Sequence, residues 1–508
     1  MPIPYFGQEF TFIQPDGTEL KVKGFGNQDS AVFETLDGFT VTRDPVTGFY
    51  QYATLSDDGN DLVPTGYQAE RANPYDLGLS KGLRPNRLAE PMSDDAGSDS
   101  LTKRTRWQTR REAARRQKRA VLEAADAAPA PPERPTVGDF VGLCLLVDFP
   151  DVPGTISREE IEAYCNQPGY SGFGNKGSVR DYFFDNSGGR LRYTNIVTPY
   201  YTAKHNRSHY ADETQPYPQR TFELIKEALE SLQAEHFDFS PLTVDAAGFV
   251  FATNVFYAGP VVNGFRKGLW PHASTMPNFP LMPGKTVADY QITNIGSELT
   301  LGTFCHENGH MICDFPDLYD YGDDGTRSHG VGSFCLMCYG LRVDPKNPTQ
   351  VNAYLKFQAG WADSVTDITG SLNASIRAGA NDFFILRKNQ TEYFIIENRQ
   401  KTGRDLALPG SGLAIWHVDE LGSNENQNML PNSHYECSLE QADGEFDFER
   451  LEPNRPFGDA NDLYHGGGNR RFGNATNPHS RWWDGTSSGL EIANISNSGS
   501  IMTFTAND

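Results

Sequence analysis

The chain has no apolar run long enough to cross a bilayer, so a membrane-spanning helix is not expected. It is also short of positive charge. Its 44 Lys and Arg stand against 66 Asp and Glu, a net charge of −22. That balance argues against nucleic acid and anionic membranes as partners. The N-terminal MPIPYFGQEF has neither a basic segment nor an apolar one behind it, so no secretory signal is written there. Cysteine is sparse: seven in 508 residues, and none before Cys144. An odd count leaves at least one thiol free or intermolecular. No internal repeat is visible. What is present suffices for several cores: 38% of residues are hydrophobic and 12% aromatic, and the length predicts two to four domains.

Histidine is scarce too, at 11, yet two of them stand four residues apart in His306-Glu307-Asn308-Gly309-His310, an H-E-x-x-H match. On a helix, positions i and i+4 share a face, so both imidazoles can aim at one metal ion. Glu307 sits beside the first of them, placed to hold and deprotonate a water. Zinc suits two imidazoles with one further protein ligand and an open fourth position. The segment from Gly296 to Cys305 has no Pro and can lead into that helix. Gly309 is a poor helix former and is expected to serve close packing. Pro316 is expected to end the helix nearby. Asp314, Asp317 and Asp320 follow, and each carboxylate can return to the metal as third ligand.

Ser333-Phe-Cys-Leu-Met-Cys-Tyr-Gly340 comes next, with Tyr339 two residues after Met337. HENGH, then PDLYDY, then CLMCYG together resemble the immune-inhibitor-A-like secreted metallopeptidases. QPDGTEL, ETLDGFTV and TGFYQYA near the start, GLWPH in the middle, and GLAIWHVDE and RWWDGTSSGL near the end extend the likeness. The resemblance implies a secreted zinc endopeptidase made with a propeptide, with a metzincin-like catalytic domain and protein or peptide substrates. It implies that a signal was removed before the first residue. Met337 would then pack beneath the metal, and Tyr339 would hydrogen-bond a developing oxyanion or serve as a packed ring. The metzincin pattern wants Gly three residues after the second His and a ligand six after. Cys313 and Pro316 stand there instead. One inserted residue makes Asp317 the expected third ligand, with Asp314 and Asp320 as alternatives.

The expected fold class is α+β and multidomain. Residues 1–100 read as a β-rich, propeptide-like domain, with strand patterns separated by Pro15-Asp-Gly17, Asp37-Gly38, Thr47-Gly48 and Asp58-Gly59. Residues 101–136 hold a basic helix and a Pro-rich linker. Lys103 to Arg119 carries nine basic residues against one acid, Glu112. It can lie against an acidic domain and offers many sites to a trypsin-like activator. Residues 137–365 are the expected α/β zincin domain, with a buried strand at Phe140–Phe149, a capping box at Ser157, helices near Val179 and from Arg220 to Ala234, and a closing helix from Asn352 to Trp361. Residues 366–508 turn back to β. Within them Asn424 to Asn477 is long and polar, and includes Gly458-Asp-Ala-Asn-Asp462. Its oxygen-rich side chains could hold calcium (Ca2+), with a plain loop as the alternative.

A latent zymogen follows from this order of parts. The N-terminal region has no cysteine, which excludes a thiolate plug on the zinc (Zn2+). A carboxylate such as Asp29 or Asp37, or a backbone group, is expected instead, and a cut between Arg104 and Arg134 would release it. Cys335 and Cys338 are expected as buried thiols or a local disulfide, and His272 as a structural histidine. Two rivals come from other classes. One is a non-catalytic extracellular binding or adhesion protein with a structural or vestigial zinc, whose fourth position a residue such as Cys313 could close. The other is a metal-dependent hydrolase of a different substrate.

Overall fold

The structure, a computed structural model, describes residues 5–26, 31–85, 104–123, 135–320, 328–424, 434–450 and 457–507. Asp29, the polar stretch 91–100 and most of the Pro-rich linker lie outside the described residues. The fold is mixed α/β, with several sheets and eight α-helices among the described residues. None of those helices is long and apolar enough to cross a membrane.

The alternating N-terminal segments form an antiparallel meander. Strands β1 (Tyr5–Ile13), β2 (Glu19–Gly26), β3 (Ala31–Thr35), β4 (Thr40–Arg43), β5 (Tyr50–Leu55) and β6 (Leu62–Gln68) lie side by side in chain order. Gly17 and Gly38 take positive φ in the first and third turns, where a side chain would be strained. Leu20 and Val22 bury one face of β2 while Glu19 and Lys21 face water. That buried face does not close on itself. Tyr5, Phe10, Phe12 and Phe33 pack against Phe265 and Trp270 of the next unit.

The continuous apolar run becomes a central strand. Strand β7 (Gly138–Asp148) pairs in parallel with β8 (Leu191–Thr202) and with β9 (Thr253–Ala258). The edge of this five-stranded sheet is a hairpin of β10 (His272–Met282) and β11 (Lys285–Ile295), where β11 runs parallel to β9 and β10 is antiparallel. Successive side chains of β7 point to opposite faces. Leu143, Leu145 and Val147 meet Leu224, Ile225, Ala228 and Leu229 of the helix Gln219–Ala234. Cys144 and Leu146 face the other way, toward the helices Arg158–Asn166, Val179–Asn186 and Leu301–Cys313. Ser157 caps the first of these through Glu160 N at 3.2 Å, and Ser178 and Asp181 form a full capping box on the second.

The C-terminal part adds β12 (Ser364–Asp367), β13 (Leu372–Arg377), β14 (Asp382–Arg387), β15 (Glu392–Arg399), β16 (Gly412–Asp419), β17 (Cys437–Leu439), β18 (Ile492–Ala493) and β19 (Ile501–Ala506). They make a five-stranded sheet ordered β12-β14-β15-β16-β17 and a three-stranded one ordered β13-β19-β18. Phe383, Ile385, Tyr393, Ile395 and Trp416 share one core with Phe304, Met311 and Met337. The histidine helix therefore shares one core with both the central sheet and the C-terminal sheet, which gives its side chains little freedom.

Candidate metal centre

The H-E-x-x-H segment lies on the helix Leu301–Cys313, eleven of whose thirteen residues are buried. The side chain between the ligand positions anchors it. Asn308 Nδ2 donates to Asn254 Oδ1 on β9 at 2.9 Å, and the Tyr193 hydroxyl on β8 donates to Asn308 Oδ1 at 2.5 Å. A hydrogen-bonded buried amide of this kind fixes the helix in rotation as well as position. Gly309 permits a second close approach. A Cβ there would stand 2.9 Å from Met337 Sδ, so the methionine packs directly beneath the helix turn that carries the histidines. The helix ends at Asp314, which takes a left-handed conformation (φ 58°), ahead of Pro316.

The chain after that turn brings Asp317 back. His306 Nε2 and His310 Nε2 are 3.2 Å apart, and Asp317 Oδ1 lies 3.1 Å from the first and 3.3 Å from the second. All three residues are buried. A tetrahedral ion with bonds of about 2.0–2.1 Å sets its ligands about 3.3–3.4 Å apart. The triangle therefore has the dimensions of one face of a zinc coordination tetrahedron. The outer nitrogens fix the tautomers. Nδ1 of His306 faces the Leu336 carbonyl at 3.1 Å and Nδ1 of His310 faces the Phe315 carbonyl at 2.6 Å. Each Nδ1 must donate, so each Nε2 presents a lone pair to the triangle. Two lone pairs and a carboxylate converging in a buried space call for a cation.

In the absence of an ion, charge couples the three residues to one another. Burial opposes charge on His306, but Asp317 and Glu307 overcome it and hold its pKa above the usual value. Burial likewise favours a neutral Asp317, but His310 and His306 overcome it and hold the carboxyl well below the usual range. Glu307 is itself buried and acts on His306.

The other acidic candidates are placed differently. Asp314 takes no part in the triangle: its carboxylate receives Arg110 at 2.6 Å. Asp320 is buried but outside the triangle as well. Tyr339 lies in an aromatic stack, face to face with Phe457 (centroids 4.0 Å, planes 9° apart) and edge-on to His329 at 5.5 Å. Burial pushes His329 down to about 4, so its ring is neutral. All seven cysteines are thiols, including the Cys335 and Cys338 pair. His272 is held by the Trp270 carbonyl at 2.6 Å and the Tyr290 hydroxyl at 2.7 Å, and burial lowers its pKa to about 3, which makes it structural.

The basic helix, Arg106–Glu123, crosses this site, and sequence reasoning did not foresee how. Its first turn is capped from outside: Asp289 of β11 accepts from Arg106 N at 2.8 Å and Trp107 N at 3.3 Å. Burial pushes the Asp289 carboxyl up to about 6, against the pull of those donors. Trp107, only 4% exposed, lies over His310 with ring centroids 4.8 Å apart and planes 23° apart. Arg106 pairs with Asp245 at 3.1 Å and Arg110 with Asp314. Arg111 and Arg115 both reach Glu436, and Lys118 reaches Glu420. Arg115 also donates to the carbonyls of Glu420, Leu421 and Gly422 at 2.8–2.9 Å. Trp107 is the only buried side chain of the helix with a defined apolar role, so charge does most of the docking. Asp37, by contrast, is exposed in the β3–β4 turn and is not among the triangle's ligands.

Comparison with protein-family models gave no match, and a search of curated proteins found no similar sequence.

Proposed function

We propose that the chain is a zinc-dependent endopeptidase, exported as the immune-inhibitor-A-like resemblance implies, and kept latent by its own N-terminal part. The observation that carries this is the triangle of His306, His310 and Asp317, with edges of 3.1–3.3 Å, beside the buried Glu307. Among the described residues three ligands, rather than four, meet there, which is the pattern of a catalytic zinc site and favours an enzyme over a protein with a structural zinc. A zinc ion held there would polarise a scissile carbonyl and bring the pKa of a water toward neutrality.

The chain's own residues supply the rest. Glu307 takes the proton of the attacking water and passes it to the leaving amine. Tyr339 donates to the developing oxyanion, and the Phe457 ring stacked on it limits the positions its hydroxyl can take. An α/β zincin domain over 137–365 is the matching architecture, and the mixed sheet followed by the buried histidine helix supports it.

Latency in this reading comes from the basic helix. Trp107 covers the His310 ring and keeps a substrate strand from that side of the centre. A cut between Arg104 and Arg134 turns a tethered cover into a separate chain, whose effective concentration falls from roughly millimolar to the bulk value. The test is casein hydrolysis before and after limited trypsin treatment, with metal stripped by a chelator and then restored. Activity should appear after the cut, vanish with the chelator and return with zinc. Hydrolysis that survives complete removal of metal would overturn the proposal.

A further inference from the structure

A second group of carboxylates stands behind the Tyr339 stack, with no histidine in it. Asp443, Asp459 and Asp462 each place one carboxylate oxygen within 4.8 Å of the others. Two segments supply them, one after β17 and one that includes Phe457. The segments are tied together: Ala442 N donates to the Asp462 carbonyl at 2.9 Å, and Asp459 N donates to Asp462 Oδ2 at 2.5 Å. Gly458, at φ 111°, presses against that carboxylate, since a Cβ there would come within 3.0 Å of Oδ2.

The other oxygen of Asp462 is the anomaly. The residue is 1% exposed, and its Oδ1 is buried without a hydrogen-bond partner. Leaving such an acceptor unsatisfied is costly, and more so when it is charged. Its neighbours make matters worse. Burial first, then Asp443, Asp459 and Asp447, push the Asp462 carboxyl up to about 8. Asp443 is raised as well, by burial and by Asp459, Glu445 and Asp447. Like charges gathered around a buried oxygen with no donor are the arrangement expected of a cation site.

We propose that Asp443, Asp459 and Asp462 bind a calcium ion, distinct from the metal at His306, His310 and Asp317, and that this ion fixes the loop carrying Phe457. The all-oxygen donor set selects a hard cation rather than zinc. Magnesium usually takes one or two carboxylates and keeps its waters, whereas calcium accepts several carboxylates in irregular geometry at about 2.3–2.6 Å. The ion supplies the missing partner of Asp462 Oδ1 and cancels the repulsion among the three acids. Its reach extends to the first centre. Phe457 lies two residues before Asp459, its ring is stacked on Tyr339 and edge-on to His329 at 4.8 Å, and its carbonyl accepts from Ser333 N at 2.7 Å. Calcium therefore holds in place the ring against which Tyr339 is packed.

The test uses the full-length chain, freed of metals and reloaded with zinc, and reads calcium binding by calorimetry and melting temperature. Neither readout depends on peptidase activity, so this inference and the proposed function can fail separately. Calcium should bind at this site and raise the melting temperature. Asp459→Asn and Asp443→Asn, at half-buried positions, should each weaken that binding about 100-fold or more, because affinity follows the ligand charge count. They should keep the zinc content of the unsubstituted chain. Asp462→Asn should abolish the binding; if that variant does not fold, the other two decide. Absence of binding at millimolar calcium, or the same affinity and stoichiometry in the variants, would overturn the proposal.

Discussion

The indole of Trp107 lies over the imidazole of His310, 4.8 Å between ring centroids and 23° from parallel. One residue of the basic helix thus touches a metal-ligand position directly, while the remaining docking contacts are mainly ionic. Removing the indole should open the site without cutting the chain. Burial and stacking of this ring contribute roughly 2 kcal/mol to docking, so Trp107→Ala should raise the open fraction roughly 30-fold. Casein hydrolysis by the intact, uncut variant measures it. An intact variant as silent as the unsubstituted chain would show that Trp107 is not the cover.

Asp314 and Asp317 should separate cleanly, although three residues apart. Asp317→Ala should lower zinc affinity by orders of magnitude, because it removes a corner of the triangle. Asp314→Asn should leave zinc affinity unchanged and raise the activity of the intact chain, because it removes the carboxylate nearest Arg110. Asn is chosen because the position is left-handed, which Asn tolerates. Zinc titration and casein hydrolysis on both variants give the two readouts.

Gly309→Ala should destabilise the site from below. The added methyl would meet Met337 Sδ at 2.9 Å in a fully buried position. Overpacking of this kind costs about 1–3 kcal/mol and should lower the melting temperature by about 2–6 °C. A melting temperature equal to that of the unsubstituted chain would show that the methionine has room to move.

Glu440 carries a pH dependence with a definite sign. Burial, with Glu449 adding to it, pushes its carboxyl up to about 8, and His417 Nδ1 lies 3.7 Å away. Tyr464 also senses its charge. The unfolded chain binds no proton here above about pH 4.5, while the folded chain keeps one to about pH 8. Stability from this group is therefore full below pH 4.5 and lost as pH rises toward 8. Glu440→Gln lacks that loss, so its melting temperature should gain on the unsubstituted chain by about 5–8 °C between pH 5 and pH 8. A constant difference across that range would contradict the assignment.

Much of the framework was legible because it is local. The apolar run at Phe140 reads as a buried strand, and it became an inner strand of a sheet. The i, i+4 spacing of His306 and His310 put both rings on one helix face before any tertiary contact was known. Gly309 and Met337 were legible as packing residues, but not as partners of each other. Less visible was everything that depends on distant segments. The partners of the basic helix, Asp245, Asp289, Asp314, Glu420 and Glu436, are scattered through a chain full of acids. Nothing local marks them, and nothing local marks Trp107 as the ring that meets His310. Asn308 fills an unspecified position of H-E-x-x-H, yet it pins the helix to two strands of the sheet. The acids at 443, 459 and 462 were noticed only in part, because Asp443 is distant in sequence from the other two.

The central claim is that Glu307 moves the proton at a site built by His306, His310 and Asp317. Zinc content and casein hydrolysis of Glu307→Gln after trypsin cleavage test it most directly, since the change keeps side-chain shape and removes the base. The account predicts zinc at the stoichiometry of the unsubstituted chain, with hydrolysis reduced by about 100-fold or more. Undiminished hydrolysis in that variant, with zinc still bound, would contradict it.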